Sequence, residues 1–371
     1  MAALDDADRL SLRAAARDFL SAALPPNGRP VEAEATVFDR TGWGRMATEL
    51  GLTGVPFAEE DGGSGLGLEA ELLVHEELGR VLSTAPYLST VGTVGAALRA
   101  LDTPEAVQLR RAIAAGELVA AALLDPVPAT LHEGQWRLSG RQDFVIDASV
   151  ADGLLVLAQA GAGAHDRALL WLPSGGAGVQ VEPLPAVDLT RRFARVTLRD
   201  ATGTVLAQGA AAIAAAGAAQ VGLSLGLAAE SIGVAARALE LTVDYVKVRH
   251  QFGRAIGSFQ AVKHLCAEMV VRLEGARSAL ALAVQAADES DPRLAAAHLA
   301  VARAHCGERC FWVTNEAIHL HGGIGFTWEH PAHLYYRRAR SNQQLLDPYA
   351  NQRQLVAELI AEHYAQEAAV L

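Results

Sequence analysis

Two segments toward the C-terminal end carry residues whose types and spacing suit phosphate chemistry. The first reads Tyr245-Val-Lys-Val-Arg249-His-Gln251-Phe252-Gly253-Arg-Ala-Ile256-Gly-Ser-Phe259-Gln260. The Arg249 guanidinium is a planar cation able to grip phosphate oxygens through paired N–H donors. The second reads His321-Gly322-Gly323-Ile-Gly325-Phe326-Thr-Trp-Glu-His-Pro331, followed by Tyr336-Arg337-Arg338-Ala-Arg340. With no Cβ in the way, backbone N–H groups at Gly322 and Gly323 can approach an anion closely. A plain reading competes for Arg249, that of a solvated cation at a helix end. Another glycine cluster, Gly62-Gly63-Ser64-Gly65-Leu66-Gly67, follows no predicted strand, which a nucleotide loop requires. It reads as a turn between helices. Cys306 and Cys310 are four apart in a helical stretch, but zinc takes four ligands. They are read as buried core thiols, and no metal site is expected.

These segments must be held by the elements around them. From about Leu4 to Ala115 the pattern is helical, with Leu10, Leu12, Ala16, Phe19 and Leu20 as a first apolar stripe. Gly51-Leu-Thr-Gly-Val-Pro56 and the glycine cluster break it. Further helices are expected over 68–81 and 90–101. Beyond Glu117 short alternating runs appear at 136–140, 144–146, 153–158, 168–172, 179–181 and 193–198, separated by Gly, Pro and Asp. That is the texture of an antiparallel β domain. From Ala210 the pattern is helical again, and Asp291-Pro292 is a helix start expected to run to about Leu320. The fold class is therefore mainly α with a central β domain. An N-terminal helical domain (1–115) precedes a middle antiparallel β domain (116–208) and a C-terminal α-helical domain (209–371). The βαβ alternation of a dinucleotide fold is absent from this order.

Composition narrows the classes. The chain has 371 residues, 51% hydrophobic but only 5% aromatic, rich in the helix formers Ala and Leu. The net charge of −11 argues against a general nucleic-acid binder. Ala201 to Ala229 is long enough to span a bilayer, but alanine and interspersed Gln and Gly dilute it. It reads as a buried helix with its lead-in, so no membrane span is expected. Three cysteines without a disulfide framework, and a start carrying Asp5, Asp6 and Asp8, point to a reducing, cytoplasmic setting.

The two signature segments resemble those of acyl-CoA dehydrogenases, the "R-x-x-F-G" element at the end of a long helix and the "H-G-G-x-G-F" element at the start of a loop. Gly51 to Gly67 and Glu76-Glu-Leu-Gly-Arg80 also fit that family. The resemblance covers nearly the whole chain and implies a C-terminal four-helix bundle, an FAD cofactor and α,β-dehydrogenation of an acyl-CoA thioester. It also implies that Arg249, Gln251, Phe252, Ile256 and Gln260 serve the FAD of a neighbouring subunit, with Gly322 and Gly323 at its adenosine diphosphate half. The electron-transfer acceptor is a further implied partner, in a homo-oligomer or a heterotetramer. His319 stands where the family has a glutamine three residues before the glycine pair. Asp347 stands in the place of the family's usual glutamate base, one methylene shorter, and His250 in the place of the alternative glutamate. Asp347-Pro348 also reads as a helix N-cap followed by a first-position proline, and the two roles are compatible.

Leu124-Asp125-Pro126-Val-Pro-Ala-Thr130 stands in place of the family's "T-E-P-x-x-G-S-D" loop, and Phe144-Val145-Ile146-Asp147 in place of its "W-I-T" strand. In these departures the chain resembles divergent, actinobacterial-type members that work as unlike-subunit tetramers, some on steroid-CoA thioesters and others in fatty-acid or lipid breakdown. Two alternatives follow: a non-catalytic subunit that completes a partner chain's FAD site, and a flavin-dependent oxidase or hydroxylase on the same fold.

Overall fold

The structure is a computed structural model and describes residues 5–23, 38–287 and 292–346, with 357, 358 and 361. It opens with helices α1 (Asp6–Ala23) and α2 (Arg40–Leu50). Ala16 and Leu20 of α1 are buried, whereas Leu10 is exposed. Leu10 falls outside the expected stripe because a 100° step per residue places it about 120° or more round the helix from Leu12, Ala16 and Phe19. Helix α2 is capped by Asp39, which accepts from the Gly42 N–H. Helix α3 (Gly67–Arg80) follows the glycine cluster, which forms a turn as expected. The helix expected over 90–101 is realised as a buried π-helical run, Leu88–Gly95, continuing into α4 (Ala96–Arg99). Helix α5 (Pro104–Ala114) starts at an N-capping Thr103 with proline in its first turn.

Seven strands follow: β1 (Ala120–His132), β2 (Gln135–Ile146), β3 (Gly153–Gln159), β4 (Arg167–Pro173), β5 (Val179–Leu184), β6 (Phe193–Ala201) and β7 (Thr204–Gln208). The sheet order is β5-β6-β2-β1-β3-β4-β7. Among the described pairs in this sheet, all are antiparallel except β1 with β3. The mixed character has a simple origin. β1 is long enough to pair with β2 through its second half and with β3 through its first, and two reversals bring β3 back parallel without a crossover helix. Leu124 to Thr130, read above as a loop, lies within β1. A register shift between Leu123 and Val127 accommodates Pro126, since proline is tolerated in a strand at a bulge.

Helix α6 (Gly209–Val248) runs for 40 residues and ends in a two-stranded hairpin, β8 (His250–Gln251) and β9 (Arg254–Ala255). Helices α7 (Gln260–Ala287), α8 (Pro292–His321) and α9 (Ala332–Leu345) complete the bundle. The start at Pro292 matches the N-terminal signal in the sequence. By length and composition α6 could cross a bilayer, yet Ala228, Ile232, Ala235 and Leu239 are buried in a core shared with the other bundle helices. Those helices contribute Met269, Leu273 and Ala276 of α7, Cys306, Cys310 and Val313 of α8, and Leu334 and Ala339 of α9. Burial pushes the Cys306 thiol up to about 12, which fits a structural thiol rather than a ligand.

The chain divides into two compact units. One comprises Met1–Ala16, Val31–Glu71 and Thr84–Leu223, and so holds the sheet. The other comprises Arg17–Pro30, Leu72–Ser83 and Ser224–Leu371, and so holds the bundle.

Candidate cofactor site

Helix α6 delivers Arg249 to the edge of the bundle unit. The Arg249 N–H donates to the Tyr245 carbonyl at 2.9 Å, the last helical hydrogen bond, and its own carbonyl accepts from the Ile256 N–H at 2.8 Å. Between these anchors the chain makes its hairpin, His250 opposite Ala255 and Gln251 opposite Arg254. Two residues are left for the turn, Phe252 and Gly253, with φ of 53° and 77°. Positive φ at both central positions is what a tight hairpin turn needs. Glycine meets it freely, whereas an L side chain there costs about 1–2 kcal/mol.

Burial within this chain does not offset that cost. Phe252 is 90% exposed, touching Phe259 edge-on at 6.2 Å between ring centroids. The Arg254 guanidinium also lies over the Phe259 ring, 4.1 Å from its centroid. A strained, outward-facing aromatic points to a contact outside the chain. Arg249, His250, Gln251 and Gln260 are exposed beside it, and Ile256 is half-buried. Among the described residues the Arg249 guanidinium meets no carboxylate, which leaves its donors free for an anion. His250 Nδ1 lies 2.9 Å from the Val248 carbonyl.

The glycine turn follows α8 directly as a 3-10 segment, Gly322–Phe326. Its three glycines are needed for different reasons. Gly322 has a φ of 60°, a conformation that suits only glycine well. Gly325 is buried, and a Cβ there would lie 3.0 Å from His321 Cβ and 3.1 Å from the Ile318 carbonyl oxygen. Gly323 is required by neither cause, for its φ is ordinary and nothing of the chain lies within 4 Å of a Cβ built on it. The open space above Gly323 suits a ligand that approaches the backbone. His319 is exposed, with Nδ1 3.2 Å from a Glu316 carboxylate oxygen.

The two elements meet through three rings absent from the sequence reading as a group. Tyr245, four residues before Arg249, stacks on His321, the residue before Gly322, at 4.6 Å and 26°. His330 packs against His321 at 4.2 Å and lies 6.1 Å from Tyr245, so the three rings form one cluster. All three residues lie inside the quoted motifs, but only tertiary contact makes them neighbours. Asp347 lies outside the described residues, so its place relative to this site is not described.

In the sheet unit, Phe144 is 63% exposed at a φ of 60° and meets Phe193 edge-on at 6.1 Å. Three residues on, the buried Asp147 carboxylate pairs with Arg192 at 2.9 Å and accepts from Ser89 Oγ at 2.9 Å. FAD needs a cation and N–H donors for its pyrophosphate, together with apolar or aromatic surface for its rings. On the bundle side the free Arg249 guanidinium, the exposed Phe252 ring and the open backbone at Gly323 fit that need.

Comparison with known proteins agrees. Residues 6–108 match the acyl-CoA dehydrogenase N-terminal domain and residues 223–362 the acyl-CoA dehydrogenase C-terminal domain. Acyl-CoA dehydrogenase IpdE2 of Mycobacterium tuberculosis is 34% identical over 310 residues, 84% of this chain and 83% of the relative. Acyl-CoA dehydrogenase FadE34 of the same organism is 37% identical over 296 residues, 78% of this chain and 38% of its own length. Among solved structures, a variant of the Tcur3481-Tcur3483 steroid ACAD superposes with a TM-score of 0.86 at 28% identity, covering 97% of this chain and 99% of that one. The ChsE4-ChsE5 complex from Mycobacterium tuberculosis gives 0.85 at 26% identity, covering 97% and 98%.

Proposed function

The chain belongs to the acyl-CoA dehydrogenase family, and we propose that it works as an FAD-dependent α,β-dehydrogenase of a bulky acyl-CoA thioester, assembled with a second family member. Bound FAD supplies the acceptor for the hydride leaving the β carbon. The protein supplies the rest. Arg249 neutralises the pyrophosphate, Gln251 and Gln260 offer amide donors and acceptors, and Gly322 and Gly323 open the backbone N–H groups to it. Asp347 is the candidate to take the α proton on its carboxylate, which leaves an α,β-unsaturated thioester. The named relative supporting a bulky acyl group is the steroid ACAD; the ChsE4-ChsE5 complex, as a complex of two named chains, supports an unlike-subunit assembly.

The observation that carries this reading is the hairpin. Phe252 keeps a costly backbone conformation while facing solvent, which makes sense when a neighbouring subunit's flavin covers it. The test is flavin content of the purified assembly with and without Arg249→Ala. A loss of bound flavin at unchanged assembly mass is expected. Unchanged flavin in an intact assembly would remove Arg249 from the site.

A second reading rests on β1. The segment standing in place of the family's flavin-holding loop, Leu124 to Thr130, is strand. This favours a chain that lends its bundle face to a partner's FAD without completing a site of its own. Flavin bound by the chain when purified alone would exclude that reading, and flavin bound only after co-expression with a second family member would support it.

A further inference from the structure

The ring stack beneath the site has a chemistry that the proposed function does not use. His321 Nδ1 lies 2.6 Å from the Ala317 carbonyl, so that nitrogen carries the proton and Nε2 keeps a lone pair. His330 is arranged oppositely. Its Nδ1 accepts from the Ala332 N–H at 3.2 Å, so the neutral ring carries its proton on Nε2. Ala332 is the first residue of α9, and a helix N-terminus disfavours a cation beside it. A proton arriving on His330 Nδ1 would set one N–H against another and break that contact.

Resting on the flavin reading above, we propose that Tyr245, His321 and His330 are positioning residues that clamp the Arg249 hairpin to the glycine turn for FAD, and that acid loosens the clamp. The covalent links are short. Tyr245 gives its carbonyl to the Arg249 N–H, and His321 is bonded directly to Gly322. A ring that shifts in the stack therefore moves a cofactor-facing element. The groups facing His330 are Tyr245 from α6, His321 from α8 and His333 from α9. Arg337 on α9 disfavours charge on His333, and Glu329 precedes His330 in the chain.

Burial, reinforced by His321 and His333, pushes His330 down to about 4, from about 6.5 for a free imidazole. Burial also lowers His321, partly offset by its bond to Ala317, and lowers His333. The closed clamp thus binds fewer protons than the loosened chain. It is fully intact above about pH 6.5 and weakens progressively as pH falls toward about 4.

The test uses the assembled flavin-loaded protein. Flavin retained after rapid gel filtration is read across the acid range for wild type, His330→Phe, His330→Ala and Arg249→Ala, with melting temperature and assembly mass for each. Wild type should hold flavin about tenfold more weakly near pH 5.5 than near pH 7.5, the effect of one extra proton on the loosened state. His330→Phe keeps a ring that takes no proton and should flatten this profile. His330→Ala should lose flavin even at neutral pH. A wild-type profile in His330→Phe overturns the clamp, as does full retention by an intact His330→Ala. If His330→Ala fails to assemble, the His330→Phe profile decides. If Arg249→Ala loses flavin while the His330 variants match wild type, the clamp fails and the flavin reading stands. If no variant changes flavin, or the wild-type assembly holds none, both fall.

Discussion

The Arg338 guanidinium sits 2.9 Å from the Glu230 carboxylate, and both side chains are shut away from solvent. The pair ties α9 to α6 within the bundle. Asn342 Nδ2 donates to the same carboxylate at 3.0 Å and to Ser231 Oγ at 3.1 Å, and Arg338 also donates to the Ser83 carbonyl at 3.1 Å. Removing one member leaves a buried charge without its main partner. Arg338→Ala should therefore cost about 3–5 kcal/mol, read as a fall in denaturant midpoint at fixed protein concentration. An unchanged midpoint would mean that water reaches Glu230 and the pair is not structural.

Helices α3 and α6 touch backbone to backbone, and two glycines allow it. A Cβ on Gly233 would lie 1.9 Å from the Glu76 carbonyl oxygen, and one on Gly79 would lie 2.2 Å from that of Glu230. A contact this close to main chain cannot be relieved by turning a side chain. Gly233→Ala should force the helices apart and cost about 1–3 kcal/mol or more, despite alanine's better helix propensity. A stabilised Gly233→Ala protein would show that the two helices can separate freely.

Phe252 gives a prediction with opposite signs for stability and binding. Glycine at this position relieves a left-handed strain of about 1–2 kcal/mol and loses only the edge contact with Phe259. Phe252→Gly should hold or raise the melting temperature of the flavin-free protein while lowering flavin affinity. If it melts lower and binds flavin as before, the ring serves the fold and not the cofactor.

Much of this site was legible because its chemistry is written in contiguous segments. Arg249, Phe252 and Gly253 span one hairpin, and Gly322 and Gly323 span one turn, so the resemblance to two short family motifs grouped them. The order of helices, strands and helices followed from apolar periodicity, and Pro292 marked the start of α8. Three things were out of reach. The parallel pairing of β1 with β3 depends on β1 being long enough to serve two neighbours, which local alternation does not record. Leu124 to Thr130 carries two prolines and reads as a loop until a bulge makes room for one of them. The Tyr245–His321–His330 stack joins residues far apart in sequence. Nothing in local periodicity distinguishes those rings from ordinary core or surface residues.

Asp347 follows the end of α9 at Leu345 and Leu346 in the sequence, and its proposed role as base can be tested apart from the N-cap reading of Asp347-Pro348. Asparagine caps a helix about as well as aspartate but takes no proton. Asp347→Asn should keep its melting temperature and flavin while dehydrogenation slows by about 10²–10⁴-fold. Activity that survives this change would place the base on another residue, with the partner chain as the next place to look.

The most direct measurement is anaerobic titration of the purified, flavin-loaded assembly with acyl-CoA thioesters running from short fatty chains to steroid-derived ones. Loss of the oxidised flavin's visible band, matched one for one by an α,β-unsaturated thioester, is the result predicted, with the bulky thioesters acting at the lowest concentrations. A flavin-loaded assembly that no acyl-CoA reduces would contradict the account. So would flavin reduction that yields no unsaturated product.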